Sequence, residues 1–177
     1  AFAAEWERLT GGTTTPYRSM RLFRLGDLTP PQPLPSGAPR AASTADADLV
    51  LAWYEAFGRE VNDMGRQSRA AVERNIARGG VSVWEADGSP VSMAGVSASV
   101  AGMVRVSAVY TPPQRRGRGF AGAVTYEVSR AARAAGAEEI LLYTDLTNPV
   151  SNALYPRLGY RPIEDRAVIA FTGDRSY

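Results

Sequence analysis

The stretch Val104-Arg105-Val106-Ser107-Ala108-Val109-Tyr110-Thr111-Pro112-Pro113-Gln114-Arg115-Arg116-Gly117-Arg118-Gly119-Phe120-Ala121-Gly122 decides the fold. Its first half predicts a strand. Val104, Val106, Ala108 and Tyr110 alternate with residues of the other face, and valine and tyrosine favour pleated surfaces. Pro112 and Pro113 end that strand, because proline has no N–H to give to a ladder. A helical pattern begins directly after Gly119: Phe120, Val124, Val128, Ala131, Ala132 and Ala135 recur every three or four residues, and Gly136 is a natural stop. A glycine-bearing loop between a strand and a helix turns backbone N–H groups and the positive end of the helix dipole toward an anion. Gly117 and Gly119 have no Cβ, so a ligand can approach closely, and Arg115, Arg116 and Arg118 add charge. The pattern calls for a pyrophosphate.

Two phosphate loops are excluded. The nucleotide-triphosphatase loop needs a lysine after its last glycine, and the chain contains none. The dinucleotide fingerprint needs three spaced glycines and a downstream acid, which this loop does not match. What remains, Gln114-x-x-Gly117-x-Gly119, resembles the acetyl-coenzyme A signature of the GNAT superfamily of N-acetyltransferases. A second stretch, Asn148-Pro149-Val150-Ser151-Asn152-Ala153-Leu154-Tyr155-Pro156-Arg157-Leu158-Gly159-Tyr160, is similar to the other hallmark of that superfamily. The two stand in the expected order, with a helix and a strand between them. The resemblance covers roughly residues 40–171.

The resemblance implies an α/β fold in which a mixed, mostly antiparallel sheet is flanked by helices. A central parallel strand pair splays apart at the cofactor site. It implies acetyl-coenzyme A as cosubstrate and no metal. The loop Gln114, Arg115, Arg116, Gly117, Arg118, Gly119, Phe120 and Ala121 would hold the pyrophosphate. The backbone at Val109, Tyr110 and Thr111 would pair with the pantetheine arm, and Asn148 and Asn152 would reach it from the other side. Asn148 is read equally well as the residue that starts a helix before Pro149. Tyr155 is the implied catalytic acid, since a positioned phenol can protonate a departing thiolate. The full pattern favours that role over a tyrosine packed beside Leu154 and Leu158. Related enzymes often carry a glutamate on the strand before the loop, whereas Arg105-Val106-Ser107-Ala108 stands here. Asp145, Glu85 and the acids between 55 and 63 are the alternatives for a base.

The missing residue types narrow the chemistry further. Without cysteine there is no disulfide or thiol nucleophile, and without histidine the commonest general base and metal ligand are gone. All 20 basic residues are arginine. Direct transfer to an amine suits this inventory better than a covalent cysteine intermediate. A net charge of +2, with arginines clustered only at 115–118, does not call for nucleic acid. No apolar run is long enough to span a membrane and no signal-peptide pattern opens the chain, so the cytoplasm is the default location.

Residues 1–16 mix a short apolar opening with Thr10-Gly11-Gly12-Thr13-Thr14-Thr15-Pro16, a turn-like or flexible stretch, and Met20–Leu25 reads as a strand. Residues 28–39, with five prolines, read as a stiff linker. This predicts a division into 1–39 and an acetyltransferase domain at 40–177. The head is either the tail of a degenerate upstream lobe or a strand that pads the main sheet. An upstream lobe or a homodimer are the macromolecular partners that the resemblance permits. Next come a short strand at Arg40–Ala42 and a helix capped by Ser43 or Thr44, with Leu49, Val50, Trp53 and Phe57 on one face. A break at Gly58–Gly65 and a second helix over about 66–78 follow. Trp53 and Phe57 are core residues first and pocket residues second. Val81–Glu85, the Asp87-Gly88 turn and Val91 to about Val100 predict a hairpin, with Gly95 available for a bulge. Glu139–Thr144 reads as a central strand covered on both faces. A helix at about 149–158 and one or two strands between Tyr160 and Phe171 complete the chain. The leading functional expectation is an N-acetyltransferase acting on an amine of a small molecule or peptide. The alternative is a non-catalytic acyl-coenzyme A-binding sensor or interaction module.

Overall fold

The structure, a computed structural model, describes residues 2–61 and 67–172. In chain order the helices are α1 (Phe2–Thr10), α2 (Ala47–Glu60), α3 (Arg69–Ala77), α4 (Phe120–Ala134) and α5 (Pro149–Arg157). The strands are β1 (Thr13–Leu25), β2 (Ala38–Ala41), β3 (Val81–Ala86), β4 (Ser89–Val96), β5 (Met103–Tyr110), β6 (Glu139–Asp145) and β7 (Tyr160–Thr172). They form one seven-stranded sheet in the order β2-β3-β4-β5-β6-β1-β7. Among the described residues only β5 and β6 run parallel; the other pairs are antiparallel.

The sheet separates two apolar cores. On one face, Phe120, Val124 and Val128 of α4 and Leu158 pack against Phe23, Val104, Val106 and Leu142. On the other, Val50 and Trp53 of α2 and Val72 and Ile76 of α3 cover Val81, Val83, Met93 and Tyr110. Each fully buried side chain of this size contributes about 1.5–3 kcal/mol. Ser43 and Asp46 form a capping box at the entry to α2, and Arg40 clamps Asp46 through two hydrogen bonds of 2.7 and 2.9 Å. That guanidinium holds the Asp46 carboxyl well below the usual carboxylate range. The same arginine bonds Glu85 at 2.7 Å, so β2, β3 and α2 are tied together at one edge.

Several expectations change. The apolar opening Phe2–Thr10 is a helix whose Trp6 ring meets Phe171 edge-on at 4.9 Å, and within the stretch read as turn-like, Thr13–Pro16 already belongs to β1. The strand read at Met20–Leu25 starts seven residues earlier and lies between β6 and β7, so a division at Pro39 falls inside one sheet. The proline-rich segment is no spacer. Thr29 N–H bonds the Leu158 carbonyl, Pro31 approaches Gly122, Pro35 approaches Gly119, and the Ser36 carbonyl accepts from Trp84 Nε1. It is a strap across the α4 face of the sheet. Helix α2 continues through Gly58 to Glu60, because its buried face still meets β5; the rest of the break read up to Gly65 and the start of the second helix at 66 lie outside the described residues. Strand β4 stops at Val96, and a single strand follows α5. Strand β6 is covered on one face: Ile140, Leu142 and Thr144 are buried, while Leu141 and Tyr143 are half-exposed.

Candidate active site

The site begins with one extra residue. Met93 faces Tyr110 and Gly95 faces Ser107, so β5 spends three steps where β4 spends two. Ala108 absorbs the difference with φ of 49°. A bulge of this kind bends its strand and reverses which side chains point to which face. Val104 and Val106 point into the α4 core; past the bulge, Ala108 and Tyr110 point into the α2–α3 core. The pairing of β5 with β6 ends at Val106–Leu142, two residues before Ala108, although both strands continue. The parallel pair therefore parts, and the alternation of β5 leaves the backbone of Val109 and Thr111 on the side that β6 has left. Gly95, the expected bulge position, sits opposite the bulge. A Cβ there would stand 2.7 Å from Tyr54 Oη.

At the carboxyl end of β5, Pro113–Arg115 forms one turn of 3-10 helix, and Gly117 and Gly119 take φ of 72° and 82°. Left-handed values come at little cost only to glycine. This geometry presents six consecutive N–H groups, Gly117 to Gly122, none of which donates to a protein acceptor among the described residues. They lie at the positive end of the 15-residue α4. A Cβ at Gly117 would meet nothing within 4 Å, so the loop opens to solvent there. Its arginines differ in role. Arg116 donates to the Thr111 carbonyl at 2.8 Å and to both Glu60 oxygens at 2.6 and 2.7 Å, bracing the loop against the end of α2. Arg118 stacks over Phe120 at 5.0 Å, Arg115 is half-buried, and Gln114 is exposed. The side chains of Phe120 and Tyr110 are core residues; Tyr110 packs against Trp53 at 6.1 Å. Ser92 Oγ bonds the Tyr110 carbonyl and takes the Thr111 hydroxyl at 2.8 Å, which pins the strand end. Ala121 is half-buried in the first turn of α4.

Across the gap, Asn148 caps α5 by accepting from Ser151 N–H at 3.0 Å. Asn152 donates its amide to the carbonyls of Asp145 and Asn148, both at 2.8 Å. Its Oδ1 is buried with no donor among the described residues. Tyr155 is 7% exposed, 6.0 Å from both Phe23 and Tyr160. Burial pushes its phenol up to about 12, against a smaller opposite effect from its hydrogen bond with Ser151. The candidate bases are all engaged or remote. Glu85 is held by Arg40 and Glu60 by Arg116. Asp145 accepts from Thr147 N–H and hydroxyl, which holds it below its ordinary pKa. Glu55 is exposed, and residues 62 and 63 lie outside the described residues. No group of three or more metal-ligating side chains occurs among the described residues.

The model of the Acetyltransferase (GNAT) family matches residues 47–160 of this chain, which include the glycine loop and the parting parallel pair. The chain belongs to that family. GNAT proteins transfer acetyl groups and use acetyl-CoA. No curated protein sequence matches the chain. Among solved structures it is similar to a GCN5-related N-acetyltransferase from Sphaerobacter thermophilus, at 21% identity and a TM-score of 0.71 over 96% of this chain and 55% of that one. A GCN5-related N-acetyltransferase from Kribbella flavida gives 24% identity and a TM-score of 0.63 over 93% of this chain and 61% of that one. A Mycobacterium tuberculosis protein solved in complex with CoA gives 15% and 0.59, over 72% and 73%. These likenesses show the GNAT fold. The chain spans only about half to two-thirds of the first two structures. The bulge at Ala108 left no composition signal in the sequence, since alanine is rarely chosen for positive φ. A proline run looks alike in sequence whether it packs or spans, and here it packs.

Proposed function

We propose that this chain is an acetyltransferase that moves the acetyl group of acetyl-CoA directly onto an amine. The run of six unclaimed N–H groups from Gly117 to Gly122 carries the reading, because it fits a pyrophosphate at a helix N-terminus. In this reading the donor lies along the gap, Val109 gives its backbone to the pantetheine amides, and the orphaned Asn152 Oδ1 accepts from the arm's N–H. The amine nitrogen bonds the acetyl carbon as the carbon–sulfur bond breaks. The thiolate takes a proton from Tyr155, which burial keeps protonated at neutral pH, and the proton that the attacking nitrogen sheds on becoming an amide returns through solvent to restore the phenol. The departing thiolate shares that buried setting, and burial raises its affinity for a proton as well. A cytoplasmic location accords with an acetyl-CoA donor.

One observation favours a second reading, a non-catalytic acyl-CoA-binding module: Glu85, Glu60 and Asp145 are all committed to structural partners. Two measurements separate the readings. Acetyl-CoA should raise the melting temperature, and CoA should be released when amines are added. The folded Gly119→Asp variant should lose the thermal shift, since it adds a negative charge beside the pyrophosphate. An unchanged shift would remove the loop from the site. Binding without release by any amine would leave the module.

A further inference from the structure

We propose that the acceptor is a small amine that also carries an anionic group, held by Arg74 and Arg78 in a cavity on the α2–α3 face of the sheet. The proposal rests on the acetyltransferase reading and names its acceptor class. A cavity of about 440 Å³ lies between α3 and the ends of β4 and β5, and Tyr54, Arg74, Asn75, Arg78, Ser97 and Ser107 are among its lining residues. Its size lies within the usual range of small-molecule sites. Its place is informative. Ser107 directly precedes the Ala108 bulge, and the β5–β6 pairing has ended at Val106. The cavity therefore reaches the sheet where the strands part. Tyr155 belongs to the core on the opposite face. Acceptor and acid would approach the gap from its two sides.

The charge of the cavity selects the ligand. Two arginines line it, and no carboxylate does among the described residues. Arg74 and Arg78 are four residues apart at the end of α3, which places them on one side of the helix. Neither forms an ion pair among the described residues, whereas Arg40, Arg69, Arg116 and Arg130 all do. Arg78 donates through Nη2 to the Val96 carbonyl, which fixes its head at the rim and leaves further N–H donors for a ligand. Tyr54 accepts from Asn75 Nδ2 at 3.1 Å, and burial raises its phenol pKa, so it brings no negative charge. A cleft of one sign concentrates ligands of the other and repels a simple ammonium. An amine bearing a carboxylate or phosphate meets the guanidinium forks with its anion. Its nitrogen is then free to point along Ser107 toward the gap.

The test uses paired acceptors that differ only in the anion: L-amino acids against their carboxamides, and O-phosphoethanolamine against ethanolamine. CoA release is followed at saturating acetyl-CoA, and binding to the CoA-loaded protein is measured by calorimetry. At least one anionic amine should bind and turn over with kcat/KM about 10- to 100-fold above its partner lacking the anion, the scale of one or two charged hydrogen bonds. The amino-acid and phosphate arms identify which anion is used. In the folded Arg74→Gln/Arg78→Gln variant that preference should vanish through KM, with acetyl-CoA binding intact. Equal use of the partners lacking the anion, a preference that survives the double substitution, or no binding of any anionic amine overturns the proposal. Arginine-dependent binding without CoA release would instead uphold the anion site and refute the transfer.

Discussion

Tyr155 turns its ring into the core between Phe23 and Tyr160, so its phenyl and its hydroxyl have separable jobs. In Tyr155→Phe the packing should remain and acetyl-CoA affinity should hold, while kcat falls by roughly 10²-fold. Wild-type turnover with the chemical step limiting would refute the acid role. The same burial has a stability consequence. Between pH 10 and about 12 the folded chain keeps a proton that the unfolded chain has lost, so stability falls with rising pH. The slope is about 1.4 kcal/mol per pH unit for this group and is absent below pH 10; urea titrations of wild type and Tyr155→Phe across that range measure it. Gly159 closes the second hallmark for a different reason. Its φ is 94°, and a Cβ would lie 1.8 Å from the Asp27 carbonyl oxygen of the strap. Gly159→Ala should cost at least about 2 kcal/mol. Gly117→Ala, with φ of 72° but open space around it, should cost only about 1 kcal/mol. Equal losses in urea denaturation would show that the strap contact is not made.

Among the elements, β1 and the strap behind it matter most. Strand β1 contributes hydrogen bonds to both β6 and β7, and Phe23 reaches the α4 core. The strap then crosses that face with Pro35 near Gly119 and Pro31 near Gly122, so it borders the loop proposed to hold the pyrophosphate. Proteolysis between 30 and 36 should therefore yield two fragments that stay together under native conditions. A chain lacking residues 1–37 should fail to fold, because β6 and β7 would each lose a neighbour and bury nothing in its place. A truncated chain with a cooperative thermal transition and intact acetyl-CoA binding would show that the head is dispensable. The helices tell a simpler story. The recurrences at Phe120, Val124 and Val128 and at Val50 and Trp53 face the two cores as their spacing requires.

At the scale of the molecule, one sheet runs through both cores, and its three tryptophans report on separate regions: Trp6 against Phe171, Trp53 in the α2–α3 core and Trp84 in the α4 core. Unfolding followed by fluorescence and by far-ultraviolet circular dichroism should give superimposed curves. An early fluorescence phase without loss of sheet would show the N-terminal region melting apart from the rest. By itself the sequence determined the parts that local rules control: the β5–loop–α4 unit, the hairpin at Asp87-Gly88, the crossover that makes β5 and β6 parallel, and the left-handed glycines of the loop. Each is written in spacing or in a residue type whose backbone preference acts over a few positions. Only the tertiary structure decided where β1 enters the sheet, that the proline run packs, that Ala108 is a bulge, that Arg116 braces rather than points outward, and that Arg74 and Arg78 flank a cavity beside Ser107. Those depend on contacts between residues far apart in the chain. A strand pattern carries no label for its neighbour, and an alanine is driven to positive φ only when the strands on either side of it have different lengths to match.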